Sequence, residues 1–398
     1  MLDIKITNAK TRNTGKELVE IGIENGKITA IASAVEGEAK QVIDAKGDLV
    51  TESFVNGHLH LCKVYTLEMA GQAALKEYND NNMGGAMTSI ERAADFKACY
   101  DEKWIIENVR KACDLAVKYG NTHIRAFADV DSKARLEGVK GVIRGREEYK
   151  DRLDIQVVAF PQDAREPGAK ELIKQAMDLG ADVVGGIPWI EFTEEEELDH
   201  VNSMCNYAKE YDKDISMLLD DVGDAEERTL EMLCKKVIEM GWQGRATAQH
   251  CRAMELYPEN YFRKLVSLLK KAQIGVVSDP HTGPLHARVK DLLKAGVPVA
   301  LGQDDIADAY YPYGECNMLQ VAFLASHLLH MVSFDDMELL YDMITTSAAK
   351  VLGIKNHELK EGGDADLVVL QDEDVYHAIW HHTAPAYVIK NGVDITVK

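Results

Sequence analysis

Eight short apolar runs, each followed by a helical pattern, recur through the middle of the chain, and this alternation constrains the fold more than any other feature. The runs are Phe54–Leu59, Thr122–Phe127, Ile155–Phe160, Asp182–Ile187, Ile215–Leu219, Ala246–Ala248, Ile274–Val277 and Val299–Leu301. Segments such as EKWIIENVRKACDLAVKYGN fill most of the gaps between them. Here Trp104, Ile105, Val109, Ala112, Leu115, Ala116 and Tyr119 share one broad helical face, which Gly120 can close. Eight strands alternating with helices over about 250 residues predict an α/β protein, a (β/α)8 TIM barrel. A doubly wound open sheet normally needs fewer strands, and no glycine-rich phosphate loop follows the early ones.

The chain ends have a different rhythm. LDIKITNAK, LVEIGIENGKITAIA and QVIDAKGDLV open the sequence as strand-like runs, and DADLVVLQ and AYVIKNGVDITV close it, with an Asn-Gly turn at each end. They predict a small β-sandwich domain from residues 1–50 plus 350–398, flanking a barrel of residues 51–349. The 398 residues, 46% of them apolar, suffice for one large core and a satellite. No apolar run reaches membrane-spanning length. The start, MLDIKITNAK, has neither the basic n-region nor the apolar h-region of a signal peptide, which predicts a cytoplasmic location. Seven scattered cysteines with no CxxC pair argue against a disulfide framework. A net charge of −21 argues against nucleic acid and favours a small neutral or cationic substrate.

A barrel of this type keeps its chemistry at the C-terminal ends of its strands. Those ends read NGHLHLCK, RAFADVD, AFPQD, GGIPWIEF, LLDDVGD, TAQHC, VSDPHTG and GQDDIAD. His58 and His60 are one residue apart, so on a strand both rings project to the same side. Paired imidazoles suit a borderline-soft divalent ion, Zn(II) or Fe(II), with Mn a further candidate, and His250 and Asp304 stand at two further strand ends. Such an ion makes hydroxide available near neutral pH, and carboxylates move the protons. Asp304 can bind the metal and accept the water proton, His250 can hold or replace that water, and Asp221 can shuttle the proton to the substrate. Asp220, Asp279 and Asp305 compete for these roles. Gln162 offers an amide that reads the –CO–NH– edge of a heterocycle. Trp189 can stack on a flat ring or simply pack at the rim. Tyr310, Tyr311 and Tyr313 suit an aromatic wall or a subunit contact. Lys63 and Arg125 are expected to pair with nearby aspartates. Cys62 follows the HxH pair without any mark of activation.

These strand ends resemble the amidohydrolase superfamily, in its cytosine deaminase and N-isopropylammelide amidohydrolase branch. The motifs are GHLHL, VVAFPQD, GADVVGGIPWIEF, HCRAM, GQDDIADAYYPYGECNMLQ and the closing LKEGGDADLVVL. The resemblance implies one divalent metal ion on His58, His60 and Asp304, with His250 at the hydrolytic water and Gln162 on the pyrimidine edge. Asp221 stands where cytosine deaminase has a proton-passing glutamate, and Asp305 and Trp189 match pocket walls. It further implies a small heterocyclic substrate such as a cytosine-, creatinine- or aminotriazine-like compound, and a homo-oligomer. Strand five departs from the pattern. Where the family motif is similar to VHCDE, this chain has MLLDD, and Leu218 takes the place of the third histidine ligand. Cys62 also replaces the aspartate often found after HxH. Three accounts of the missing ligand stay open: His250 becomes the third imidazole, Asp220 or His281 supplies a donor, or the protein is a non-catalytic binder. His281 otherwise belongs to the substrate wall. Ring-opening hydrolysis of a cyclic amide is the alternative to deamination.

Overall fold

Residues from both chain ends build two four-stranded sheets in the computed structural model, which describes residues 1–15, 17–70, 75, 96–161 and 168–397. β1 (Leu2–Ala9), β2 (Val19–Glu24), β3 (Lys27–Ala32) and β4 (Ala39–Asp44) form the first, in the order β3-β2-β1-β4. The second joins β5 (Val50–Glu52) to β14 (Leu367–Val369), β15 (Tyr387–Lys390) and β16 (Val393–Asp394). The hairpins β2–β3 and β15–β16 both turn through Asn-Gly. Asn25 and Gly26 have φ of 53° and 74°, and Asn391 and Gly392 have 49° and 74°, the left-handed pair a two-residue hairpin turn needs. The two turns touch, since a Cβ on Gly392 would lie 3.1 Å from the Gly26 Cα. Ile4, Ile6, Ile21, Ile23, Leu367, Val369 and Ile389 share one buried cluster in this part of the molecule.

Each of the eight central apolar runs is a strand. β6 (Phe54–Leu59), β7 (Asn121–Asp129), β8 (Asp154–Phe160), β9 (Val183–Gly186), β10 (Asp214–Leu219), β11 (Ala246–His250), β12 (Gly275–Ser278) and β13 (Val299–Leu301) pair in sequence order. Every pairing is parallel. The ring closes between the ends of β13 and β6, where the Asp304 N–H donates to the His58 carbonyl at 2.9 Å and the His60 N–H to the Asp304 carbonyl at 2.8 Å. The barrel seam therefore carries the HxH pair and the candidate carboxylate in its backbone bonds.

The helix α1 (Glu102–Lys118) keeps the apolar period, with its buried face shifted by packing. Asp101 caps it by accepting from the Lys103 N–H at 2.8 Å. Its buried face is Ile105, Ile106, Val109, Ala112, Cys113, Ala116 and Val117, so Trp104, Leu115 and Tyr119 lie at the margin of the predicted stripe. The shift follows from a close helix neighbour. A Cβ on Gly141 or Gly145 would come within 2.5 Å of Ile105 or 2.4 Å of Val109, so those glycines let the next helix draw α1 round. Among the described residues no helix is long and apolar enough to cross a membrane, and all seven cysteines are free.

Candidate active site at the barrel seam

One oxygen is the focus of the site. The Oδ1 of Asp304 lies 3.1 Å from His58 Nε2, 3.6 Å from His60 Nε2 and 4.0 Å from His250 Nε2. Donor atoms bound about 2.0–2.2 Å from one tetrahedral ion stand roughly 3.4 Å apart, so this spacing fits a shared cation. His58, His250 and Asp304 offer donors within 4.8 Å of one another, as do His60, Asp304 and Asp305, and Asp304 is common to both sets. The His58 Nε2 is buried without a hydrogen-bond partner. Its Nδ1 faces the Gln249 Oε1 at 2.9 Å, and the Gln249 Nε2 donates to the Ser216 Oγ at 2.8 Å. A carboxamide oxygen only accepts, so His58 carries a proton on Nδ1 and turns Nε2 to Asp304, the orientation a metal ligand requires; burial lowers this ring, but Asp279, Asp304 and Gln249 outweigh it and raise it above its ordinary value.

Burial sets the charge of this cluster. It pulls His60 well below the ordinary imidazole value, helped by Lys63 and His58, and pulls His250 down to about 4 despite Asp221 and Asp304. Both are thus neutral near pH 7. Burial alone would raise Asp304, but His250, His58 and His60 outweigh it and hold the carboxyl well below its usual range. His58 and His250 with Asp304, and His60 with Asp304 and Asp305, are two overlapping imidazole–carboxylate groups of the kind a borderline-soft divalent ion takes.

The walls differ in character. Leu218 is buried in an apolar cluster with Phe127, Val158, Phe160, Val183, Ile187, Trp189 and Ile190. The rings of Phe127 and Phe160 reach the histidines, with centroids 4.1 Å from His58 and 5.3 Å from His60. Strands two to five thus present hydrocarbon to the site, while strands six to eight present His250, Asp279 and Asp304.

This geometry meets its relatives in sequence. The Amidohydrolase family matches residues 41–164 and 162–393. The N-isopropylammelide isopropyl amidohydrolase of Pseudomonas sp. (strain ADP) is 33% identical over 377 residues, spanning 94% of this chain and 92% of that protein. The chain belongs to the amidohydrolase family. A pterin deaminase of Rhizobium rhizogenes is 25% identical over 88% of this chain and 81% of its own length. A structure of 5-methylcytosine deaminase from Klebsiella pneumoniae, liganded with 5-fluorocytosine, matches with a TM-score of 0.89 at 28% identity, covering 99% of this chain and 97% of that one. As an amidohydrolase, the chain is a hydrolase of carbon–nitrogen bonds, in a superfamily whose members bind a divalent metal.

The amidohydrolase scaffold treats the remaining candidates unequally. Asp220 and Asp221 are neighbours with opposite fates. Asp220, at φ 44°, accepts from the Thr229 hydroxyl at 2.7 Å, the Leu230 N–H at 2.9 Å and the Tyr257 hydroxyl. It anchors the start of the helix α2 (Thr229–Glu239), so it does not supply the missing ligand. Nor is His281 in either donor set: its Nε2 lies 2.7 Å from the Gln303 carbonyl and its ring lies against Tyr311. Asp221 holds a bidentate pair with Arg252, whose Nε and Nη2 donate at 2.5 and 2.9 Å. Sequence reading missed Arg252, although it stands in the HCRAM motif two residues after His250. Asp305 pairs with Lys63 at 3.3 Å, and Lys63 also lies 4.0 Å above the Tyr310 ring.

Burial, then Asp304 and Asp308, push the Asp305 carboxyl well up. Burial, opposed by His58, pushes Asp279 up to about 8 with help from Asp304 and Asp221. Arg125 corrects the expected ion pair. Its guanidinium donates to Gln156, Thr247 and the Leu352 carbonyl, and no carboxylate among the described residues is within ion-pair distance. It lies among the barrel strands, away from the mouth, where strand neighbours rather than mouth aspartates surround it. Cys62 is buried, accepts from the Asp129 N–H at 3.2 Å, and has its thiol raised by burial and Asp129. Gln162 lies outside the described residues.

Proposed function

We propose that this amidohydrolase is a metal-dependent deaminase of a small, flat, amino-substituted nitrogen heterocycle. The observation that carries the reading is the convergence of His58, His60 and His250 on one Asp304 oxygen at the barrel seam. These four residues would hold one divalent ion, Zn or Fe, with Mn as the third candidate. Such an ion supplies Lewis acidity and makes hydroxide available near neutral pH.

The chain's own residues do the rest. Asp304, kept ionised, accepts the proton of the attacking water. Asp221, held in place by the bidentate Arg252, relays it to the leaving or ring nitrogen. Trp189 and the apolar cluster around Leu218 cover the ring face. Asp305, paired with Lys63, lines the substrate edge, and His281, whose Nε2–H donates to the Gln303 carbonyl, keeps Nδ1 as an acceptor for a substrate N–H. The relatives' names span triazine, pterin and pyrimidine rings, and the two-sided wall suits that class.

Purified protein, assayed for bound metal and for ammonia release from cytosine, aminotriazines, pterins and creatinine, tests this reading. We expect close to one ion per chain and release that stops on chelation and returns with metal. Protein that takes up no ion even after metal is added back would overturn it.

A further inference from the structure

The mouth contains one buried carboxylate that the mechanism above does not use. Asp279 follows β12, its side chain is 0% exposed, and neither of its oxygens has a hydrogen-bond partner. A buried carboxyl group with neither oxygen hydrogen-bonded is costly, and a nearby donor would satisfy it. One candidate donor lies close. The Nδ1 of His250, likewise buried and without a partner, is 3.6 Å from the Asp279 Oδ2. Asp221 is also near that nitrogen, at 3.9 Å, but both its oxygens already accept from Arg252. Closing 3.6 Å to about 2.8 Å takes less than 1 Å of movement.

The surroundings are built to admit this carboxylate. Gly302, at the start of the strand-eight end, has no side chain where one would collide with it. A Cβ there would lie 2.2 Å from the Asp279 Oδ1 and 2.6 Å from the His58 Cβ.

We infer that Asp279 is a positioning residue that fixes the His250 proton on Nδ1, turns Nε2 toward Asp304, and so makes His250 the third imidazole ligand in place of the absent strand-five histidine. This rests on the metal-binding reading above and deepens it. The same logic holds His58 through Gln249, so each of the two histidines would have its own anchor, one amide and one carboxylate. Leu218 then needs no substitute on its own strand, and the apolar cluster around it can stay closed.

Zinc titration of the full chain, freed of metal and competed against a chromophoric chelator, tests the inference. Asp279→Ala should weaken zinc binding about ten- to a hundredfold, the usual cost of losing such an anchor. Asp279→Asn, which keeps an acceptor without the charge, should fall between it and the wild type. Adding Leu218→His to Asp279→Ala should recover affinity, because a strand-five imidazole does not depend on how His250 is held. A general folding defect would not be rescued in that way. Should Asp279→Ala fail to fold, the Asn variant carries the comparison. Wild-type zinc binding left unchanged in the Ala and Asn variants would overturn this inference alone. Absence of zinc binding in the wild type would overturn the metal reading and this inference with it.

Discussion

Removing Arg252 should cost more stability than its surface-like chemistry suggests. Arg252 and Asp221 are 5% and 3% exposed, and the guanidinium meets both carboxylate oxygens at 2.5 and 2.9 Å. A third donor, Nη1, reaches the Thr282 carbonyl at 3.0 Å. Arg252→Met keeps the aliphatic stem but leaves Asp221 buried and unpaired. Breaking a buried pair from one side costs about 3–5 kcal/mol, and the lost bond to Thr282 adds about 1 kcal/mol. Asp221→Asn strands the cation instead, yet it keeps the shape of the acceptor and should cost less. The double variant removes both charges, so its loss should fall at least about 2 kcal/mol short of the sum. Urea unfolding of the metal-free protein, followed by circular dichroism and tryptophan fluorescence together, measures all three. Arg252→Met within about 1 kcal/mol of wild type, or strictly additive losses, would refute a buried, coupled pair.

Two further outcomes are expected. Gly302→Ala should lower both unfolding stability and zinc affinity, since its methyl would stand 2.2 Å from the Asp279 Oδ1 and 2.6 Å from the His58 Cβ; unchanged zinc affinity would show that the site tolerates displacement of both. Burial, then Asp220 and Glu197, push the Glu227 carboxyl from an ordinary 4.5 up to about 8. The folded state therefore keeps a proton that the unfolded state loses, a stabilising contribution complete below about 4.5 and lost as pH rises through about 8. Glu227→Gln should flatten stability between pH 5 and 8 and exceed the wild type at pH 8; parallel profiles would contradict the assignment.

Much of this architecture was legible before any tertiary contact. Strand period two alone put the rings of His58 and His60 on one side, and the alternation of apolar runs with helical stripes located every barrel strand. Leu218 could be seen to break the ligand pattern, because a leucine has no lone pair wherever it points. What surrounds it could not be seen: the cluster that buries it draws on residues from Phe127 to Ile190, contributed by three other strand ends.

The sequence by itself placed the HxH pair, His250 and Asp304 at strand ends; the tertiary structure decided which other groups join them and what each does there. Asp220 and Asp221 are chemically identical and adjacent. One is turned under by Thr229 and Tyr257, and the other is clamped by Arg252, 31 positions away. Within a strand, alternation fixes the side on which a group emerges. At strand ends the chain leaves that period, with Asp220, His250 and Asp304 all at positive φ, and there the direction of a side chain is set by hydrogen bonds to partners remote in sequence, which no local pattern encodes.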